Sequence, residues 1–346
     1  MSLRESLKPQ RDVCDVHRPH DAVDIPPFRP HALLSGGHAQ TLAGFLLPTP
    51  NHPYGATKHT VTLPDDDVVI LHDDRPASWR EGDRTALMLH GLSGCHQSGY
   101  MVRIAAKLND RGVRTFRMDL RTCGAGRGLS RYPYHAGRSE DALAALGRVR
   151  ELCPSSPTTA VGFSLGGNVV LKLLGEKPDA LPASLDSGVA VNPPIDLQAS
   201  AERLDRPNAR LYDRHFVNQL LDHVAHSRES ANDLAELFRE RRPRGVYQFD
   251  DFYTAPLCGF GTAANYYAKC SSAQFISHIQ RPTLIVMSRD DPMIPVESFE
   301  LLAPSDTVKT CLTDHGGHLG YVGRSGNDPD RRWMDWRVVD WVTADS

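Results

Sequence analysis

The fold is decided by the stretch Thr158-Thr159-Ala160-Val161-Gly162-Phe163-Ser164-Leu165-Gly166-Gly167-Asn168. Thr158 to Phe163 reads as a short buried strand, and Leu165 to Leu174 reads as a helix. Between them stands a G-x-S-x-G motif, whose serine needs a tight strand-to-helix turn to become a nucleophile. Gly162 and Gly166 leave room for close backbone approach on either side of Ser164. Such a turn exposes the hydroxyl at the sheet edge and aims a helix N-terminus at any developing anion. A glycine-rich turn alone arises often by chance; the strand before it and the helix after it select the nucleophile reading.

Working outward, Val68–Leu71, Ala86–Leu89, Val113–Leu120 and Ser187–Val191 read as strands. Tyr100–Leu108 and Ser139–Leu152 read as helices, the second with Leu143, Leu146 and Val149 spaced three apart. Strands alternating with helices predict an α/β fold, a mostly parallel sheet of the eight-stranded type with helices on both faces. The rhythm stops between Pro194 and Arg281, which predicts a helical cap insertion at about 195–280 over the catalytic edge. Thr283–Met287 and Thr307–Leu312 resume the strands, and Arg331–Val342, with Trp333, Trp336 and Trp341, reads as a closing helix. Residues 1–57 are rich in Pro, His and Arg with little periodicity, and read as an arm packed over something else. Residues 58–346 then form one domain with its insertion.

A chain of 346 residues, 40% apolar and 23% charged, can bury a core without disulfide or metal staples. Its 39 basic and 42 acidic side chains give a net charge of −3, which disfavours a nucleic-acid partner. The seven cysteines are odd in number and scattered, a pattern suited to free thiols in a reducing compartment. The beginning of the sequence has no apolar run typical of a leader, and no stretch approaches the roughly 18 apolar residues of a spanning helix. The expectation is a cytoplasmic protein without a spanning segment, although peripheral contact with lipid remains open.

A serine hydroxyl needs a positioned base, itself oriented by an acid, and in this type of fold the chain order is serine, acid, histidine. After Leu284-Ile285-Val286-Met287 comes Ser288-Arg289-Asp290-Asp291-Pro292. Asp290 and Asp291 compete for the acid; Asp291, beside Pro292, is favoured, and the other carboxylate would brace the turn. His315-Gly316-Gly317-His318-Leu319-Gly320 follows the last strand, and the surrounding glycines favour His318 over His315 as the base. Separations of 127 residues from Ser164 to Asp291 and 27 from Asp291 to His318 leave room for the cap and one further helix–strand unit. Acyl transfer also needs two amide donors for the oxyanion. The N–H of Leu165 follows the nucleophile, and the N–H of Leu92 lies in His90-Gly91-Leu92-Ser93-Gly94 after the third strand.

With these residues in place the chain resembles the α/β-hydrolase superfamily, and within it the YheT-like branch, related to abhydrolase-domain lipases and yeast medium-chain ester synthases. The likeness covers about residues 27–345. It rests on Gly36-Gly37-His38-Ala39-Gln40-Thr41-Leu42, the His90 and Gly162 motifs, and Asp119-Leu120-Arg121-Thr122-Cys123-Gly124. Phe249-Asp250-Asp251-Phe252-Tyr253-Thr254-Ala255-Pro256, Gly259-Phe260, Tyr266-Tyr267 and Gly317-His318-Leu319-Gly320 complete it. The resemblance implies a serine esterase of lipase type acting on acyl or lipid-like esters through Ser164, Asp291 and His318, with no cofactor. Thr122 stands where many relatives have glycine.

Rival readings are weighed on the same residues. Acyl transfer to an alcohol would use the same triad. A non-catalytic, ligand-binding member of the fold should have lost a triad residue or an elbow glycine, and none is missing. The His17, His20 and Asp21 group and the His223 and His226 pair lack a full ligand set, so no metal is expected. Cys95 and Cys123 are read as loop or packing residues. Phe249, Phe252, Tyr253, Phe260, Tyr266 and Tyr267 either line an acyl cleft or pack the cap onto the sheet.

Overall fold

The computed structural model describes residues 23–49, 52, 54–225 and 241–344. Its eight strands are β1 (Thr57–Thr62), β2 (Val68–Asp74), β3 (Thr85–Leu89), β4 (Arg114–Asp119), β5 (Thr158–Phe163), β6 (Leu185–Val191), β7 (Thr283–Ser288) and β8 (Val308–Thr313). They form one sheet in the order β1-β2-β4-β3-β5-β6-β7-β8. β2 runs antiparallel to β1 and β4, and every later pair is parallel.

Every residue of β3, β4, β5 and β7 is buried, which is why these strands read as continuous runs without polar alternation. Alternate side chains serve opposite faces. Ala86, Met88, Val161 and Phe163 pack with Met101 and Ile104 of α2 (Gly99–Asn109) and with the closing helix Trp333–Val342. Leu87, Leu89 and Ala160 point the other way, toward α3 (Ser139–Leu152) and α4 (Leu165–Glu176). The period of two along each strand thus holds both helical layers to one sheet.

The sequence-predicted strands and helices of the sheet region match these elements to within a few residues. Two elements go beyond them: the edge strand β1, and a helix α1 (Gly37–Leu46) in the segment read as an aperiodic arm. Between β6 and β7 the described residues contain no strand. They form α5 (Leu197–Leu204), α6 (Arg210–Ala225), a helical run over Val246–Leu257 with a π-helical turn at Asp250–Thr254, and the helices Ala263–Cys270 and Ser272–His278. The first of these helices is capped by Asp196, whose side chain accepts the Ala199 N–H, and Ala263–Cys270 by Thr262, which accepts from Asn265. Among the described residues no helix is long and apolar enough to cross a membrane.

After β4 the chain crosses to the other side of β3 to lay down β5, so the order reverses in the middle of the sheet. Crevices beyond the carboxyl ends of strands at such a reversal are where α/β sheets bind ligands. His90–Leu92 follow β3, Ser164 follows β5, Asn192 follows β6, and the segments bearing Asp291 and His318 follow β7 and β8.

Candidate active site

Ser164 sits between β5 and α4 at φ 50° and ψ −122°, a left-handed conformation that costs a non-glycine residue about 1–3 kcal/mol. The backbone pins it there: its N–H donates to Val191 O at 2.8 Å, and its C=O accepts from Gly167 N at 2.8 Å. The flanking glycines are required by space. A Cβ on Gly162 would lie 2.2 Å from Gly166 O, and one on Gly166 would lie 2.6 Å from Leu89 O and His90 O.

The structure brings Ser164, His318 and Asp291 into one hydrogen-bonded chain. His318 Nε2 lies 2.9 Å from Ser164 Oγ, and His318 Nδ1 lies 2.7 Å from Asp291 Oδ2. Because the carboxylate can only accept, Nδ1 carries the proton and Nε2 is left to accept one from the serine. Asp291 is fully buried, and its two oxygens also take Asn192 Nδ2 at 2.7 Å and the amides of Met293 and Ile294 at 2.8 and 3.0 Å. The alternatives left open by the sequence form a contact of their own. Asp290 Oδ2 lies 3.2 Å from His315 Nδ1, and its other oxygen accepts the Gly317 amide at 2.8 Å, bracing the loop that presents His318.

Two supports escaped the sequence reading. Thr41 of α1 accepts the His318 amide at 2.9 Å while donating to Gly37 O at 2.7 Å. Asn192, at φ 46° directly after β6, bridges Asp291 and Gly317 O. The Gly36–Leu42 motif was a signal for the first. For the second, the only signal was an asparagine, tolerant of left-handed backbone, at a strand end.

The amides of Leu92 and Leu165 both lie at this edge. Gly91 N–H donates to the Tyr100 hydroxyl at 2.9 Å and Ser93 N–H to the Tyr134 hydroxyl at 2.8 Å, so the donors on either side of Leu92 are occupied. Leu165 is the first residue of α4, where an amide has no intrahelical acceptor. Neither the Leu92 nor the Leu165 N–H donates to another group among the described residues. A Cβ on Gly91 would stand 3.0 Å from Ser164 Cβ, which shows how closely this loop approaches the nucleophile position.

A cavity opens from Ser164 and His318 beneath the helices between β6 and β7. Leu92, Leu165, Leu197, Leu220, Phe249 and Tyr253 are among its walls. Of the six aromatic residues considered, Phe249, Tyr253, Tyr266 and Tyr267 both line it and are buried in the core, so they pack and line at once; Phe252 and Phe260 are not part of the wall. Thr122 also lines it, at φ 61°, a backbone region that glycine enters without strain.

The cysteines near the site are held as thiols: burial pushes Cys95 and Cys123 up from their ordinary values. His223 lines the cavity, whereas His226, His17, His20 and Asp21 lie outside the described residues. Elsewhere His72, His96 and Asp119 lie close enough to share an ion. The two rings stack, however, with centroids 3.4 Å apart and planes 9° from parallel. An ion reached by both would lie out of both ring planes, away from the in-plane lone pairs that imidazoles use as ligands.

Residues 87–324 match the alpha/beta hydrolase fold family. Together with this fold and a relative above 30% identity, the match places the chain in that family, in its YheT-like branch. That relative is YheT of Escherichia coli, an esterase by name, 33% identical over 291 residues that cover 82% of this chain and 83% of YheT. The medium-chain fatty acid ethyl ester synthase/esterase 2 of Saccharomyces cerevisiae is 26% identical, over 79% of this chain and 65% of its own length. Among solved structures, the Pyrococcus furiosus esterase Pf2001 superposes with a TM-score of 0.56 at 15% identity, covering 92% of this chain and 98% of that one, a likeness of fold alone.

Proposed function

We propose that this protein is a serine hydrolase that cleaves carboxylic esters through an acyl-enzyme. The observation that carries the reading is the imidazole of His318 standing 2.9 Å from Ser164 Oγ and 2.7 Å from Asp291 Oδ2. The names of the relatives, which include an esterase, an ester synthase/esterase and a monoacylglycerol lipase, support the same class of substrate.

His318 Nε2 takes the hydroxyl proton as Ser164 Oγ attacks the ester carbonyl. Asp291 holds the ring's tautomer and stabilises its cationic form. The oxyanion that develops is met by the amides of Leu92 and Leu165, donors of the kind whose single removal costs about 3–4 kcal/mol elsewhere. His318 then returns its proton to the leaving alcohol, and water activated by the same ring releases the acid. The apolar cavity wall holds the chain of the ester and keeps bulk water away from the acyl-enzyme. That wall also favours a second outcome, capture of the acyl group by an alcohol, which product analysis with ethanol present distinguishes.

Ser164→Ala is expected to lower p-nitrophenyl ester turnover by about 10⁵-fold or more, with an unchanged far-UV spectrum. Retained turnover in a folded variant sinks the proposal.

A further inference from the structure

The cavity wall carries a polar atom that the ester chemistry above does not use. His135 is 7% exposed and borders the cavity, its ring set edge-on against Phe260 and Tyr266 at centroid distances of 5.2 and 5.6 Å. Its Nδ1 accepts the Gly137 N–H at 3.1 Å, and an accepting nitrogen bears no proton, so the ring's hydrogen sits on Nε2. Burial, reinforced by Arg138, Arg121 and Lys172, holds the group well below the ordinary histidine range, so the ring is neutral and this assignment is fixed. Nε2–H meets no acceptor among the described residues.

Several other polar side chains of this wall have at least one partner. Tyr134 accepts the Ser93 amide, Tyr266 accepts the Ala136 amide at 2.8 Å, and Tyr267 donates to Asp250 at 2.7 Å. Ser200 donates to Asp196 O and Thr122 to Arg121 O. The His135 Nε2–H thus stands unpaired at an apolar wall, where an acceptor on a ligand gains it a hydrogen bond.

We propose that His135 is a specificity-determining residue whose Nε2–H donates to an oxygen carried on the chain of the ester. This rests on the ester-hydrolase reading of the same site. The oxygen is a hydroxyl, carbonyl or ether that a plain alkyl chain lacks, and it belongs either to the acyl part, as in hydroxy- and oxoacyl esters, or to the alcohol part, as in glycerol esters.

The test compares kcat/KM in two series at matched chain length. The first holds p-nitrophenol constant and sets octanoate against octanoates bearing a hydroxyl or keto group at successive carbons. The second holds octanoate constant and sets alkyl against hydroxyalkyl alcohols. The expected result is a preference of about tenfold for an oxygen at one position in one series, the size of a neutral hydrogen bond in a dry site. In His135→Phe the preference, as the ratio of kcat/KM between oxygen-bearing and plain esters, is expected to fall to about one; the series that responds identifies the source of the oxygen. His135→Asn, which keeps an amide donor and an acceptor for Gly137, is expected to restore part of it, and this variant decides the matter if the phenylalanine form does not fold. No preference in either series, or one that survives in both variants, overturns the inference and leaves ester hydrolysis standing. A wild-type protein inactive on every ester overturns the ester reading and this inference with it.

Discussion

Asp291 and Asp119 are both fully buried at the carboxyl ends of strands, and both hold imidazoles. Each is held by four donor groups: Asp291 by His318, Asn192 and two amides, Asp119 by His72, His96 and the amides of His96 and Ala125. Nothing about the carboxylates separates a candidate site from a structural clasp. The difference lies one group further on. The far nitrogen of His318 meets a serine hydroxyl on a strained turn at the mouth of a cavity. The far nitrogen of His72 meets the Tyr54 phenol at 2.6 Å, and His96 stacks on His72. A carboxylate–histidine pair is therefore common scaffolding, and chemistry depends on what the other side of the ring touches.

The first way to break this comparison is Asp291→Asn. An asparagine still accepts the Met293 and Ile294 amides, but its NH₂ opposes the proton on His318 Nδ1 and favours the wrong tautomer. The expected loss is about 10⁴-fold in kcat with little change in melting temperature. Asp119→Ala should show the reverse. Removing the buried carboxylate leaves its donors unpaired and is expected to cost about 3–5 kcal/mol in denaturant unfolding, while kcat/KM of the folded fraction stays within about tenfold. A loss of activity at Asp119 as large as at Asp291, without loss of stability, would erase the distinction drawn between the two clasps.

Asp250 sharpens the comparison from a third position. It is buried like the others, yet only Tyr267 and Thr254 support it, and burial pushes its carboxyl up to about 6. At Asp119 burial acts in the same direction, but the hydrogen bonds from His72 and His96 outweigh it and hold the group well below the usual range. The kind of partner differs: two imidazoles at Asp119, two hydroxyls at Asp250. An unfolded aspartate titrates near pH 4, so folded Asp250 retains a proton between about pH 4 and 6 that the unfolded chain has lost. Its contribution thus declines as pH rises across that window, by about 2–3 kcal/mol in total. Asp250→Asn keeps an acceptor for Tyr267 without the titration, so wild-type stability should fall relative to the variant between pH 4 and 7. Parallel stability curves would show that the group does not titrate there.

What the sequence makes legible is the part written in local pattern. β5, the serine turn and α3 are readable because apolar runs, glycines and a three-residue stripe each point to one element. The order serine, acid, histidine is readable because each residue follows its own strand. α1 is not, because its pattern is inverted. Its buried face is Gly37, Gln40 and Thr41, with Gln40 bonded to Leu34 O, Val322 O and the Val322 amide, while Phe45 and Leu46 are 75% and 70% exposed. A helix that turns its polar side inward gives no apolar stripe to find. β1 is hidden for a related reason: as an edge strand it buries only Val61. The Asp119 clasp draws on β2, β4 and the loop before α2, and no spacing along the chain announces a contact among three elements.

Helix α1 carries a practical consequence. Its inner face grips the His318 segment through Thr41, and its outer residues meet α6, His38 at Tyr212 and Phe45 at His215. Periodicity alone would recommend trimming the protein to begin at residue 58, where regular strands start. That cut would leave Ser164 and Asp291 beside their strands but remove Thr41, which holds the His318 amide, and Tyr54, which closes the Asp119 clasp.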